Sequence, residues 1–262
     1  MAKSLSKRQF DRLIPWGVPI LLVILWQLLS QSGILPARIL PAPLSVVQAG
    51  INLASTGELT RNIWVSTVRA LVGFLIGGGI GFLLGLLNGI SSTSEKLLDT
   101  SLQMLRNIPH LALIPLVIVW FGIGEEAKIF LVAIGVFFPI YLNIFHGIRT
   151  VDAGLLEMGK VYGLKRVELF WQVLLPGALP SILIGVRYGL GIMWLTLIVA
   201  ETIASDSGIG YMAMNAREFM QTDVVVFSIL VYALLGKLAD AIAKALEDRL
   251  LQWHPSYQTQ TA

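Results

Sequence analysis

Long apolar stretches separated by short polar segments dominate this chain, where a surface helix of a water-soluble protein would bring polar residues back every turn. A helix needs roughly 20 apolar residues, each rising about 1.5 Å, to cross about 30 Å of hydrocarbon. Runs of that length predict about six spans, near residues 15–31, 65–90, 104–121, 127–147, 180–203 and 224–246. Pro109 and Pro115 interrupt the third run. Proline inside a span is tolerated where neighbouring helices or trapped water satisfy the freed carbonyls. The runs are far longer than barrel strands and lack apolar–polar alternation, so the expected fold class is an all-α membrane protein in a single transmembrane domain over 1–262.

Composition agrees. Of 262 residues, 55% are hydrophobic and only 13% charged, with a mean hydropathy of +0.76. Soluble domains carry about 25% charged residues, so this chain could not cover its own surface in water. A disordered protein, a secreted disulfide scaffold and most soluble enzymes are excluded. The absence of cysteine removes disulfides, thiolate catalysis and zinc–cysteine sites together. A net charge of +3 in a membrane protein reports orientation before it reports nucleic acid, and no nucleic-acid partner is expected.

Lysine and arginine set that orientation. Lys3, Lys7, Arg8 and Arg12 precede the first run, and Arg149, Lys160, Lys165 and Arg166 lie between the fourth and fifth. Arg38, Arg61, Arg69, Lys128 and Arg217 fall on the opposite side, a bias of about three to one that places both termini in the cytoplasm. The basic start followed by an apolar run resembles a signal peptide, but no small-residue cleavage site follows. Trp16 and Trp26 sit near the two ends of the run, as an aromatic belt would place them, so it reads as a retained span. The segment 148–179 lies inside and carries charges at helical spacing, which predicts short helices on the cytoplasmic face.

Two glycine patterns imitate nucleotide sites. Gly154 to Val161 matches a P-loop until its last position, where Val161 has no oxygen for magnesium and no strand precedes. Gly208-Ile209-Gly210 through Ala213 resembles a dinucleotide fingerprint without a βαβ unit, and reads as a turn. Gly73, Gly77, Gly81, Gly85 and Gly89 recur every four residues, which predicts close helix packing within the chain. His110, His146 and His254 have no metal-ligand spacing and read as hydrogen-bonded residues at the cytoplasmic ends of spans.

The cytoplasmic segment carries the most specific signal. Glu157-Met158-Gly159, three residues, Gly163, nine residues, then Val173-Leu174-Leu175-Pro176 resembles the EAA loop of ABC-transporter permeases in its spacing throughout. Met158 and Gly159 replace the two alanines of that pattern, and Val173 its isoleucine. Read physically, Glu157 would pair with partner charges or cap a helix, Gly163 would permit the bend, and Pro176 would end the second helix. The resemblance extends from about Leu13 to Tyr257, and strings such as Leu98–His110, Ile114–Gly122, Met193–Thr202 and Met214–Phe219 are similar to the aliphatic-sulfonate permeases of bacterial ABC importers. Taurine and nitrate permeases share the outline.

That resemblance implies a type I importer permease fold in the inner (cytoplasmic) membrane. It also implies two copies of this chain forming a pathway, two ATP-binding subunits docked on the cytoplasmic loops, and an extracytoplasmic binding protein delivering an alkanesulfonate. No chemistry would be performed by this chain, and no cofactor would be bound by it. A sulfonate pathway needs hydrogen-bond donors without a tight trap. Candidates are Arg106, Asn107, His110, Asn143, His146, Trp194 and Thr196. The first five lie toward the cytoplasm on this topology, where they line an exit vestibule or anchor helix ends. Glu201, near the outer end of the fifth span, would repel an anion unless paired with Arg69 or Arg217. An ion-driven secondary transporter competes less well, because repeated halves and multiple buried relay residues are not evident.

Overall fold

The computed structural model describes residues 2–203 and 205–254, with side chains described from Gly17 onward. The side chains of Lys3, Lys7, Arg8, Arg12 and Trp16, together with Ala204 and Tyr257, therefore lie outside the described residues. Every regular element among the described residues is helical. In order they are α1 (Ala2–Gln31), α2 (Pro43–Ser55), α3 (Glu58–Ile90), α4 (Ser92–Arg106), α5 (Ile114–Phe121), α6 (Glu125–Arg149), α7 (Ala153–Val161), α8 (Arg166–Leu169), α9 (Leu175–Ile203), α10 (Ile209–Glu218) and α11 (Thr222–Leu250). By length and hydropathy, four described helices can cross a membrane, namely α3, α6, the continuous rod Arg166–Ile203, and α11. The bent pair formed by Ser92–Arg106 and His110–Phe121 raises the number to five, and Gly17–Gln31 is a shorter apolar helix.

α6 is the hub, packed on one side by α3 and on the other by α9. Half of its apolar window is buried within the chain, against 22% of the window in α11. The glycine stripe explains the α3 contact. A Cβ on Gly77 would stand 2.0 Å from the Ala133 carbonyl oxygen, and one on Gly81 or Gly85 would stand 2.7 Å from the carbonyl oxygens of Phe137 and Tyr141. Only hydrogen at those positions lets the two backbones touch, which is how helices associate without a hydrophobic driving force. Packing within the chain is thus the role of the repeat.

The third expected span is not one straight helix. α4 starts at Ser92, where the Ser91 hydroxyl accepts from the Ser94 amide as an N-cap. It ends at Arg106, and the chain then bends by 79° before His110–Phe121. Pro109 cannot donate its amide, and it disfavours helical backbone at Ile108, so the break falls between them. Pro115 sits in the first turn of α5, where a missing amide costs nothing.

Pro176 also departs from expectation, because it does not end the second cytoplasmic helix. A π-helical turn over Phe170–Leu174 joins α8 to α9, with the Leu175 amide donating to the Phe170 carbonyl. The wider turn accommodates the proline and the helix continues to Ile203.

Candidate functional site

The segment 148–179 folds as a helix, a tight turn and a second helix. Asp152 caps α7 by accepting from the Gly154 amide at 2.7 Å, and the Lys165 amide donates to Glu168 at 2.7 Å at the start of α8. Between them the Leu164 amide reaches the Gly159 carbonyl at 3.0 Å and the Gly163 amide reaches the Lys160 carbonyl at 2.9 Å. That pair of bonds is a Schellman stop, which needs left-handed backbone after the helix, and Gly163 has φ +82°. Gly159 is the contact point of the pair, since a Cβ there would stand 2.6 Å from Leu169 Cδ1. Val173 and Leu175 are half-buried behind it.

Glu157 does not cap a helix. It lies exposed in the middle of α7, unbonded to any described residue. Around it the surface is apolar: Met158 is exposed, Val161 and Tyr162 are 86% and 80% exposed, and Val167 and Trp171 project from the second helix. A cavity of about 740 Å³ runs behind this surface, lined by Arg149, Leu156, Phe170 and Trp171 among others. The P-loop-like glycines are part of α7, with no strand before them.

The expected pathway residues do not form one site. Arg106 and Asn107 are exposed at the end of α4, where the Asn107 side chain donates to the Gln103 carbonyl. Asn143 donates at 2.8 Å to the Pro139 carbonyl on its own helix, and His146 is exposed beside Phe145. His110 is brought to Thr196, with Nε2 and Oγ1 3.1 Å apart, at the level of Gly135. Gly135 lies ten residues into α6, about 15 Å from its start, so His110 packs beside the middle of α6 and not at a helix end. The chain bend between α4 and α5 carries it there. Trp194 is buried edge-on against Tyr232, and its indole N–H meets no acceptor among the described residues.

A buried ionic network closes the end of the bundle where α6 begins and α9 finishes. Glu201 is fully buried and accepts from Arg69 Nη1 at 2.9 Å, from the Ser66 and Tyr232 hydroxyls at 2.8 Å, and from the Gly210 amide at 2.9 Å. Arg69, 2% exposed, also donates to the Ser207 carbonyl at 2.6 Å and forms a two-point pair with Glu125, which Lys128 approaches to 3.3 Å. The Gly208 and Ile209 amides donate to Asn62 and Ser66. Of Gly208-Ile209-Gly210, only the Gly210 amide at this helix start meets an anion, and the anion is the chain's own Glu201 carboxylate. Gly208 has φ +105°, and its Cβ would fall 2.4 Å from Glu201. Arg69, and not Arg217, is the partner. Just outside, the Ser207 hydroxyl donates to Asp206 at 3.1 Å and holds that carboxyl below the ordinary aspartate range. An arginine in an apolar run was the available signal for this network; Glu125 and Lys128 gave none, because they begin a helix.

A second charged group lies deeper. Arg187 on α9 donates to Asp240 on α11 at 2.7 Å and approaches Glu247 to 3.5 Å, while Lys237 reaches Asp240 at 3.1 Å. Arg187, Asp240 and Glu247 border a cavity of about 600 Å³ that also takes in Tyr188, Gly191 and Leu195.

Comparison with known proteins agrees with this architecture. A family profile described as "Binding-protein-dependent transport system inner membrane component" matches residues 77–252. The chain is 60% identical to an Escherichia coli (strain K12) protein named as an aliphatic sulfonates transport permease, SsuC, over 98% of this chain and 97% of that one. It is 35% identical to the taurine transport system permease TauC of the same organism, over 98% and 100%. A chain of the MetNI methionine ABC transporter, in an inward-facing conformation, shares the fold with a TM-score of 0.55 at 20% identity, covering 72% of this chain and 95% of that one. From the helix arrangement and these matches, the chain belongs to the binding-protein-dependent transport system inner membrane components, multi-pass proteins of the inner membrane.

Proposed function

We propose that this chain is the permease subunit of an ATP-driven importer of aliphatic sulfonates, with six spans and both termini cytoplasmic. Two copies line the pathway, two ATP-binding subunits dock on the cytoplasmic helix pairs, and an extracytoplasmic binding protein supplies substrate. The observation that carries the coupling role is the exposed apolar surface of α7 and α8, with Val161, Tyr162, Val167 and Trp171 projecting from a rigidly stopped turn. Closely spaced exposed apolar residues of this kind mark interaction sites. In this reading Glu157, Met158, Gly159, Gly163, Val173, Leu175 and Pro176 form the coupling element. Closure of the ATPase pair moves it, and the spans alternate between inward-open and outward-open states. ATP hydrolysis belongs to the partner subunits, and no cofactor is needed here.

The substrate assignment is supported by the 60% identity to the sulfonate relative, against 35% to the taurine one. The test is uptake of labelled ethanesulfonate by cells lacking their own system and carrying this chain with its ATPase and binding protein. ATP-dependent uptake that resists protonophores and unlabelled nitrate or taurine is expected. Uptake of taurine or nitrate alone would move the substrate to a sibling, and protonophore-sensitive uptake would point to ion coupling.

A further inference from the structure

Arg187 and Asp240 fall inside the apolar runs 180–203 and 224–246. Counted from the outer end of its helix at about 1.5 Å per residue, Arg187 lies about 24 Å along α9 and Asp240 about 27 Å along α11, and the hydrocarbon is about 30 Å thick. Charged groups at such depth face a bundle interior or a water-filled cavity, not lipid. The cavity of about 600 Å³ beside them is that space. Its size falls in the range of small-molecule sites, about 300–1,000 Å³.

Its chemistry is two-ended. At the inner end stands the Arg187 guanidinium, 42% exposed, whereas Arg69 is 2% exposed and committed on every nitrogen. Arg187 uses Nε on Asp240 and Nη1 weakly on Glu247, which leaves Nη2 without a partner among the described residues. From there Tyr188, Gly191 and Leu195 continue outward along one face of α9 for about 12 Å. A cation followed by an apolar trough fits an amphiphilic organic anion, its oxygens on the guanidinium and its alkyl chain along α9. Arg187 and Lys237 are balanced locally by Asp240 and Glu247, so an incoming anion competes with resident carboxylates and is held weakly enough to leave.

We propose that this cavity is an inner binding site on the transport pathway, with Arg187 the headgroup ligand and the Tyr188–Leu195 face the alkyl subsite; the proposal rests on the sulfonate reading above. None of the pathway residues expected from the sequence lines it.

The test uses the assembled transporter, with ATP-binding subunits and binding protein, in proteoliposomes. The unmodified complex reports on the sulfonate reading, and the variants, compared with it, report on the site. Arg187→Gln is expected to lower ethanesulfonate uptake about tenfold or more, the worth of a charge-assisted bond. The paired variant Arg187→Met/Asp240→Leu removes both charges while keeping apolar contact between α9 and α11. If the ion pair is only a clamp, this variant restores uptake and the proposal falls; if Arg187 binds substrate, uptake stays low in complexes that still co-purify with the ATPase. Gly191→Leu supplies an arm independent of charge. A Cβ at Gly191 meets nothing within 4 Å, so the added side chain enters the trough without displacing the helix. It should depress octanesulfonate uptake more than ethanesulfonate uptake, and an unchanged chain-length preference would overturn the alkyl subsite. If the unmodified complex carries taurine or nitrate in place of sulfonates, the Arg187 variants are compared on that anion. ATP-driven uptake of none of the three by the unmodified complex would overturn both readings.

Discussion

The two ends of this molecule satisfy their chemistry in opposite ways. At the end where α6 begins and α9 finishes, Arg69, Glu125, Glu201, Ser66 and Tyr232 are bonded to one another from α3, α6, α9 and α11, and the start of α10 is pinned to the same carboxylate. At the opposite end, α7 is stopped by its own backbone and α7 and α8 are capped by the Asp152 and Glu168 side chains, yet they leave Tyr162, Val161 and Trp171 in the open. The first region has its buried charges satisfied from within the chain. The second is locally rigid but incomplete, which is the condition of a docking element. Stability and assembly are therefore expected to separate along the length of the chain.

Substitutions can break that separation or sharpen it. Arg69→Met should cost the most, about 3–5 kcal/mol, because it strands the buried Glu201 carboxylate without its charge partner. The check is thermal unfolding of the detergent-solubilised protein, and a near-normal midpoint would mean that the network is not what holds the outer end. Gly77→Ala should follow at about 1–3 kcal/mol or more by forcing α3 away from the Ala133 carbonyl. Gly163→Ala should cost about 1 kcal/mol by loading a Cβ onto left-handed backbone. Gly163→Pro should in addition prevent the Schellman bonds and abolish co-purification with the ATP-binding subunit. Tyr162→Ser with Trp171→Ser should shift stability least, within about 0.5 kcal/mol for exposed positions, while weakening that association at least as much as Gly163→Ala does. Should the double variant lower the unfolding midpoint by several degrees and leave the association unchanged, the contrast between the two ends would be mistaken.

Much of this was legible in the residues. The apolar runs mark α3, α6, α9 and α11 because the hydrocarbon thickness fixes their length, and the glycine repeat marks the face of α3 that meets α6. Gly163 announces its own turn. The departures all involve proline or charge in three dimensions. Whether Pro109 kinks or breaks a helix depends on neighbouring carbonyls, and whether Pro176 stops one depends on a π turn that local sequence does not encode. Arg187 sits near the cytoplasmic end of its run, so position alone suggests an orientation charge; only the approach of α11 brings Asp240 to it. The neighbour of His110 was hidden for the same reason, since its approach to Thr196 follows from a bend and not from a count of residues.

The π turn at Phe170–Leu174 has a mechanical consequence. Because it replaces a loop, Arg166–Ile203 is one unbroken shaft of 38 residues, roughly 57 Å long at 1.5 Å per residue. Trp171 stands near one tip and Glu201 near the other, with Arg187 along its length. A shaft of hydrogen-bonded helix does not buckle under a sideways push as a coil would, so a displacement at Trp171 is delivered as tilt at Arg187 and as torque on the ionic clasp at Glu201.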